Sequence, residues 1–300
     1  MKVLIVGGTG LIGGHAALWL AERGHAVTLA ARNPAPSDTP LGKLPFLKGS
    51  YLAGDFTLPM LAQFDTLIFT AGNDIRHVPE GDDQTQHWQR ANVEGVPNFF
   101  KLAREAGIGT AIYVGSFYPQ AAPHLVEKSA YIRGRKLADD GARALNAPGF
   151  RVCSVNAPFV IGTVPQQIVP SLQAHAHYAL GRFPQVPLFA MPGGVNFIST
   201  TSLTAAIVGA IERGIGGKAY LVGDENLTFQ EYFGAMVRAA GGNDELPIID
   251  REHPMLPDSA IYAGRGGTIY YEPPADETAL LGYARQDVKR TLHEIVEFYR

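Results

Sequence analysis

A single cysteine, Cys153, occurs in 300 residues. No disulfide can close within the chain, so packing alone must hold the fold. Cys153 lies in the apolar run from Arg151 to Val155 and reads as a buried strand residue, not a nucleophile. No uninterrupted apolar stretch approaches the roughly 18 residues of a membrane span. The N-terminal Val3-Leu4-Ile5-Val6 breaks off at Gly7, short of the roughly 7–15 apolar residues of a secretory signal, so the cytoplasm is the expected location. Neither charge sign dominates: 25 Lys and Arg stand against 28 Asp and Glu. No block of like charges occurs, which argues against nucleic acid or an anionic membrane as the main partner. No metal site is expected either. His175 and His177 are two residues apart and would point in different directions on a helix. The acidic pairs Asp82-Asp83 and Asp139-Asp140 read as solvated faces.

What the chain does contain is an alternation of short apolar runs and amphipathic stretches. Strands are predicted at Val3–Val6, Ala26–Ala30, Phe46–Leu47, Thr66–Phe69, Ala111–Val114, Arg151–Val155 and, later, Ala219–Val222. Continuous apolar strands separated by helices imply a parallel sheet covered on both faces. A first helix is predicted over Leu11 to Arg23. Trp88, Ala91, Gly95, Phe99, Leu102 and Ala106 recur at helical steps, with Gly107 as a C-cap. Trp88 should pack in the core or at a helix contact. Leu203, Ile207 and Ile211, and again Val288, Leu292, Ile295 and Tyr299, repeat the helical period. Beyond residue 157 the chain is interrupted by Pro158, Pro165, Pro170, Pro184, Pro187 and Pro192, and again from Pro247 to Pro274. Long connections of this kind often carry function.

The sharpest motif is Val6-Gly7-Gly8-Thr9-Gly10-Leu11-Ile12-Gly13. It follows a strand and opens a helix, the context in which a glycine loop binds a dinucleotide pyrophosphate. Gly7 permits a tight turn, Gly10 lets the backbone approach the phosphates, and Gly13 lets helix and strand pack closely. The helix N-terminus offers N–H groups and a partial positive charge. The second strand ends Leu29-Ala30-Ala31-Arg32-Asn33. A carboxylate there would bind the ribose 2′-OH of NAD. Arg32 instead suits the 2′-phosphate of NADP, so NADP(H) is expected ahead of NAD(H).

The Gly-x-x-Gly-x-x-Gly spacing resembles the extended short-chain dehydrogenase/reductase family, also described as the NAD-dependent epimerase/dehydratase family. Other stretches follow in the family's order: Gly54-Asp55-Phe56 at an adenine-side turn, Ala71-Gly72 after the fourth strand, Asn92-Val93-Glu94-Gly95, and Val114-Gly115-Ser116 at the end of the fifth strand. Then come Asn156-Ala157-Pro158-Phe159-Val160-Ile161-Gly162, with Asn156 where arginine is usual, and a late strand–helix–strand through Asn196–Ala206 and Tyr220–Gly223. Only residues 245–275 match nothing in the family. The resemblance implies a nucleotide contacted by Gly7, Thr9, Gly10, Leu11, Ile12, Gly13, Arg32, Asp55, Phe56, Ala71, Gly72, Pro158 and Val160. It also implies a homodimer through helices at about 84–106 and 129–145.

The family's chemistry uses a Tyr as proton donor, a Lys four residues later, and a Ser or Thr on the carbonyl oxygen. Here the Tyr is Tyr131, with Tyr118 as a reserve, and the hydroxyl is Ser116. Four residues after Tyr131 stands Arg135; Lys136 is one step too far. Five helical residues turn about 140° from the starting face, so Tyr131 and Arg135 share a face and Lys136 does not. Asp139, four residues after Arg135, matches a carboxylate common in the family. Arg135 can bind ribose hydroxyls and stabilise a tyrosinate, but it cannot release its proton.

The fold expected is α/β: a doubly wound parallel Rossmann sheet over residues 1–157, completed by about 195–223, with a smaller substrate-binding region over 158–194 and 224–300. The aromatic and apolar residues Phe159, Tyr178, Phe183, Phe189, Met191 and Phe197 suggest an apolar pocket. Three activities are compatible with these residues. One is an NADP(H)-dependent oxidoreductase of a small, largely apolar carbonyl or alcohol. The second is a nucleotide-sugar epimerase or dehydratase with tightly bound NAD. The third is a non-catalytic NADP-binding regulator.

Overall fold

The computed structural model describes every residue except 74 and 244, and only the backbone of residue 76. Seven parallel strands form the main sheet: β1 (Lys2–Val6), β2 (Ala26–Ala31), β3 (Phe46–Lys48), β4 (Thr66–Phe69), β5 (Thr110–Ser116), β6 (Arg151–Ala157) and β9 (Ala219–Leu221), in the spatial order β3-β2-β1-β4-β5-β6-β9. Valine, isoleucine, leucine and alanine fill β1, β2 and β4 because both faces of the sheet are covered. Val3, Leu4 and Ile5 are wholly buried.

The strand order reverses between β1 and β4, so the loops at their carboxyl ends part and leave a crevice. In open α/β sheets this is where ligands bind.

Helices cover both faces: α1 (Leu11–Glu22), α2 (Leu58–Leu61), α3 (Gln84–Trp88), α4 (Gly95–Glu105), α5 (Tyr118–Ala121) and α6 (Ala130–Arg143). A wide π-type turn over Gln89–Glu94 joins α3 to α4. It advances the register of the helix. The stripe of Trp88 and Ala91 continues through Val96, Phe99, Phe100 and Ala103, which are buried, while Leu102 and Ala106 are only partly covered.

Pro158 follows β6 and marks where the chain leaves the main sheet. β7 (Phe159–Ile161) pairs with β8 (Gly194–Ser199) in a second, four-stranded sheet that also holds β10 (Glu225–Thr228) and β11 (Thr268–Ile269). Residues 195–199 therefore lie in the smaller sheet, whereas α8 (Thr200–Arg213) and β9 return to the larger one. Around the second sheet stand α7 (Pro170–Ala179), α9 (Phe229–Ala239) and α11 (Val288–Phe298), while α10 (Ala275–Leu281) buries Leu281 in the core of the main sheet. α10 packs on α8.

Two expectations fail here. Tyr178, Met191 and Phe197 do not line a pocket; they are part of the core of this second layer, and Phe189 is buried against His253. The Phe197 and Tyr232 rings stack 4.8 Å apart, and Phe233 is edge-on to Tyr178. The region has its own sheet and helices to seal, and the apolar side chains are consumed in doing so. Nor is Asp139-Asp140 a solvated pair. Asp140 is half-buried on the outer side of α6, but Asp139 is buried. It takes the Arg143 Nε–H at 2.7 Å and the Asn156 Nδ2–H at 3.0 Å. Successive helical residues differ by about 100°, enough to send one carboxylate in and the next out.

Candidate functional site

The glycine loop is built as its residue types demand. Gly7 has φ +82°, and a Cβ there would lie 2.8 Å from the Ala71 amide nitrogen. Turn and crevice wall thus abut. A Cβ on Gly13 would lie 2.4 Å from the Gly7 carbonyl oxygen, so α1 could not approach β1 with any larger residue. Gly10 is different. Only the Gly7 carbonyl, at 3.3 Å, would stand near its Cβ. The N-terminus of α1, which begins at Leu11 and Ile12, takes no side-chain cap. Gln167, from the segment after β7, donates to the Thr9 carbonyl at 2.5 Å and ties that segment to the loop.

Arg32 is exposed immediately after β2. Asp55 is also exposed and accepts the Ser50 N–H at 2.8 Å. Phe56 turns inward and is buried, edge-on to Phe99 in the core. Ala71 and Gly72 follow β4 at the crevice. Pro158 is buried and Val160 half-buried where the chain crosses between sheets.

Ser116 ends β5 and is buried. Tyr131 and Arg135 lie one turn apart on α6, which Ser129 caps by accepting the Ile132 N–H. The Arg135 guanidinium is buried and uses all three nitrogens. Nη1 donates to the Tyr131 hydroxyl, Nε to the Tyr113 hydroxyl and Nη2 to the Val114 carbonyl, each at 3.2 Å. Burial opposes its charge, but the two phenol oxygens more than offset this and hold its pKa above the ordinary value. A Cβ on Gly72 would meet Nη1 at 3.5 Å, so the guanidinium forms part of the crevice wall. Lys136 points outward and pairs with Asp140 at 2.5 Å.

The ring of Tyr131 is enclosed by aromatics. Trp88 is edge-on at 5.4 Å and Tyr262 stacks on it. Tyr118, the reserve proton donor, is edge-on to Tyr262 at 5.7 Å. Burial, with Tyr131 nearby, raises the Tyr118 phenol above its ordinary pKa. Ile75, Val78, Leu125 and Val126 complete this apolar cluster. Nearby, Asn73 donates to the Tyr51 hydroxyl at 2.6 Å and contacts His87 Nε2 at 3.3 Å.

Three participants escaped the sequence reading. Tyr262 comes from the stretch that resembled nothing. Gln167 reaches the glycine loop from 158 residues away. Tyr113 had one available signal: a phenol inside an apolar strand must find a hydrogen-bond partner when buried.

A dinucleotide fits these residues. The first turn of α1 is open at Gly10 and uncapped, the crevice runs between β1 and β4, and a guanidinium with five donors lies at its far wall. The described residues contain no helix long and apolar enough to cross a membrane.

Residues 3–223 match the profile of the NAD dependent epimerase/dehydratase family. The chain is similar to a 2-alkyl-3-oxoalkanoate reductase of Stenotrophomonas maltophilia (strain K279a), 25% identical over 274 residues, covering 84% of this chain and 78% of that protein. Over 119 residues it is 30% identical to a 3-beta-hydroxysteroid dehydrogenase of Mycolicibacterium neoaurum, covering 38% of this chain and 32% of that one. The fold is shared with a UDP-glucose 4-epimerase from Bifidobacterium longum solved with NAD+ and UDP. The TM-score is 0.75 at 16% identity, over 99% of this chain and 98% of that one.

Proposed function

Because the chain belongs to the NAD-dependent epimerase/dehydratase family, we propose that it is an NADP(H)-dependent reductase or dehydrogenase of a small, largely apolar carbonyl or alcohol. The observation that carries this reading is the hydrogen bond from the Arg135 guanidinium to the Tyr131 hydroxyl at the crevice wall. A bound nicotinamide supplies hydride chemistry, and the chain must manage the substrate oxygen.

Tyr131 gives its proton to that oxygen in the reducing direction and takes one in the oxidising direction. Ser116 donates a hydrogen bond to the same oxygen and polarises the carbonyl. Arg135 stabilises the phenolate left on Tyr131. A guanidinium does not release its proton, so Tyr131 is reprotonated by solvent and not through residue 135. Gly7, Thr9, Gly10, Leu11, Ile12 and Gly13 would hold the pyrophosphate, and Arg32 the 2′-phosphate. Asp55 and Phe56 would flank the adenine, with Ala71, Gly72, Pro158, Val160 and Arg135 toward the nicotinamide end.

Two observations support an apolar substrate. The surroundings of Tyr131 are apolar: Trp88, Ile75, Val78, Leu125, Val126 and Tyr262. The Stenotrophomonas relative, by its name, reduces an oxo group on an alkyl-bearing acid.

The test is NADPH consumption, followed by absorbance, with a panel of aliphatic and aromatic aldehydes and ketones. Turnover should fall roughly 100- to 10,000-fold in Tyr131→Phe, the range for loss of a general acid. Arg32→Ala should weaken NADPH binding and leave NADH binding nearly unchanged. NADPH binding without turnover on any carbonyl would refute the enzymatic reading. Purified protein already carrying tight NAD would redirect it to epimerisation.

A further inference from the structure

Arg135 meets two phenols, and only one of them belongs to the chemistry described above. We propose that Tyr113 is a positioning residue for that chemistry: by accepting the Nε–H of Arg135 it aims the guanidinium at Tyr131 and the nucleotide crevice. This rests on the reading of Tyr131 as the proton donor.

The argument is one of geometry. A guanidinium is planar, and its five N–H groups point in fixed directions. Tyr113 and Val114 are neighbours on β5, and they take Nε and Nη2. With two corners of the plane held by one rigid strand, the third corner has no freedom. Nη1 falls at 3.2 Å from the Tyr131 oxygen and beside Gly72. Without the Tyr113 hydroxyl, the guanidinium could rotate about its last bonds, and Nε–H would be a buried donor lacking an acceptor.

The ring of Tyr113 does not need its hydroxyl for packing. It sits 6.2 Å from Phe69 and from Phe100, contacts that phenylalanine would make equally well. Burial pushes its phenol pKa up despite the nearby guanidinium, so the group stays neutral and acts through its oxygen.

Arginine in place of lysine explains why such an acceptor is present. A lysine ammonium has three donors on a rotatable head and no Nε–H midway along its stem. An arginine at the same point brings an additional donor into a sealed interior and needs an additional acceptor. Tyr113 and Arg135 are thus a matched pair of buried acceptor and donor.

The experiment is a double-mutant cycle of Tyr113→Phe and Arg135→Lys, with two readouts on the same four proteins: kcat and KM for the best carbonyl of the panel, and the Kd of NADPH by fluorescence. Tyr113→Phe should lower kcat tenfold or more and leave the carbonyl KM within about twofold. The double variant should be more active than the product of the single losses allows, because lysine strands no Nε–H. A purely structural role for Tyr113 would lower the melting temperature with no split between kcat and KM; that result, or additive losses in kcat, overturns the proposal. Should no carbonyl be turned over by the wild type, the reductase reading fails but the pairing is still decided. Non-additive NADPH affinities would uphold it, and additive ones would end it.

Discussion

The ring of Tyr262 lies flat on the ring of Tyr131, with centroids 4.1 Å apart and planes 11° from parallel. One ring belongs to α6 and the other to a connection between the helices and strands of the second layer. The segment without family resemblance therefore forms one wall of the candidate site.

Removing that wall should change which substrates fit. Tyr262→Ala deletes an aromatic pair worth roughly 0.5–1.5 kcal/mol and opens the space beside Tyr131. The expected outcome is a higher KM for small ketones and a gain in kcat/KM for bulky ones, with Tyr262→Phe close to wild type. Steady-state kinetics on a size-graded ketone series checks this. Equal losses across the whole series would show that Tyr262 supports only stability.

Two glycines of the first loop should separate folding from binding. In Gly13→Ala the methyl would sit 2.4 Å from the Gly7 carbonyl oxygen, a backbone atom that cannot move aside. A loss of roughly 1–3 kcal/mol of stability is expected, as for other overpacked sites. In Gly10→Ala the nearest atom is 3.3 Å away. The apo protein should melt near the wild-type temperature, and NADPH affinity should fall at least tenfold. Thermal melts with and without NADPH distinguish the two, and a Gly10→Ala protein that binds NADPH normally would remove the phosphate from that turn.

Acid should destabilise the protein. Burial pushes His15, His175 and His253 down to about 4. In the unfolded chain they titrate near 6.5. As pH falls below 6.5 the unfolded state takes up protons that the folded state resists, so stability drains away down to about pH 4. For the fully buried His175 the shift corresponds to roughly 3 kcal/mol.

Asp224 acts in the opposite sense. Burial first, with Asp287 adding to it against two backbone N–H bonds, raises it to about 6. Its contribution is fully present below about 4 and is lost as pH rises through 6. Three histidines against one carboxyl leave a net loss on acidification. Melting temperatures at pH 7.5, 6 and 5 should therefore descend in that order; a rise between 7.5 and 5 would contradict the assignment.

Much of this architecture could be read from the chain alone. The strands at Val3–Val6 and Thr66–Phe69 were legible because an unbroken apolar run of that length has few other uses when both sheet faces are covered. The glycine loop was legible because each glycine answers a local steric demand. The π-type turn at Gln89–Glu94 was not. Its extra residue leaves no mark on composition, and it shifted the buried stripe from Leu102 to Ala103. The burial of Asp139 was not legible either, because sequence neighbours on a helix look alike until the helix is docked. Apolar side chains do not reveal whether they will face a ligand or one another, so Tyr178 and Phe197 suggest a pocket in the sequence and form core in the fold.

Periodicity, apolar runs and glycine spacing are local quantities, and they determined the strands of the main sheet, the helices with a regular apolar stripe and the glycine loop of this protein. That Tyr113 meets Arg135, where Asp139 turns, and that Tyr262 covers Tyr131 were decided only by the tertiary structure. These pairs join residues 17 to 131 positions apart, and no local preference encodes a contact whose partner arrives only when separate layers pack together.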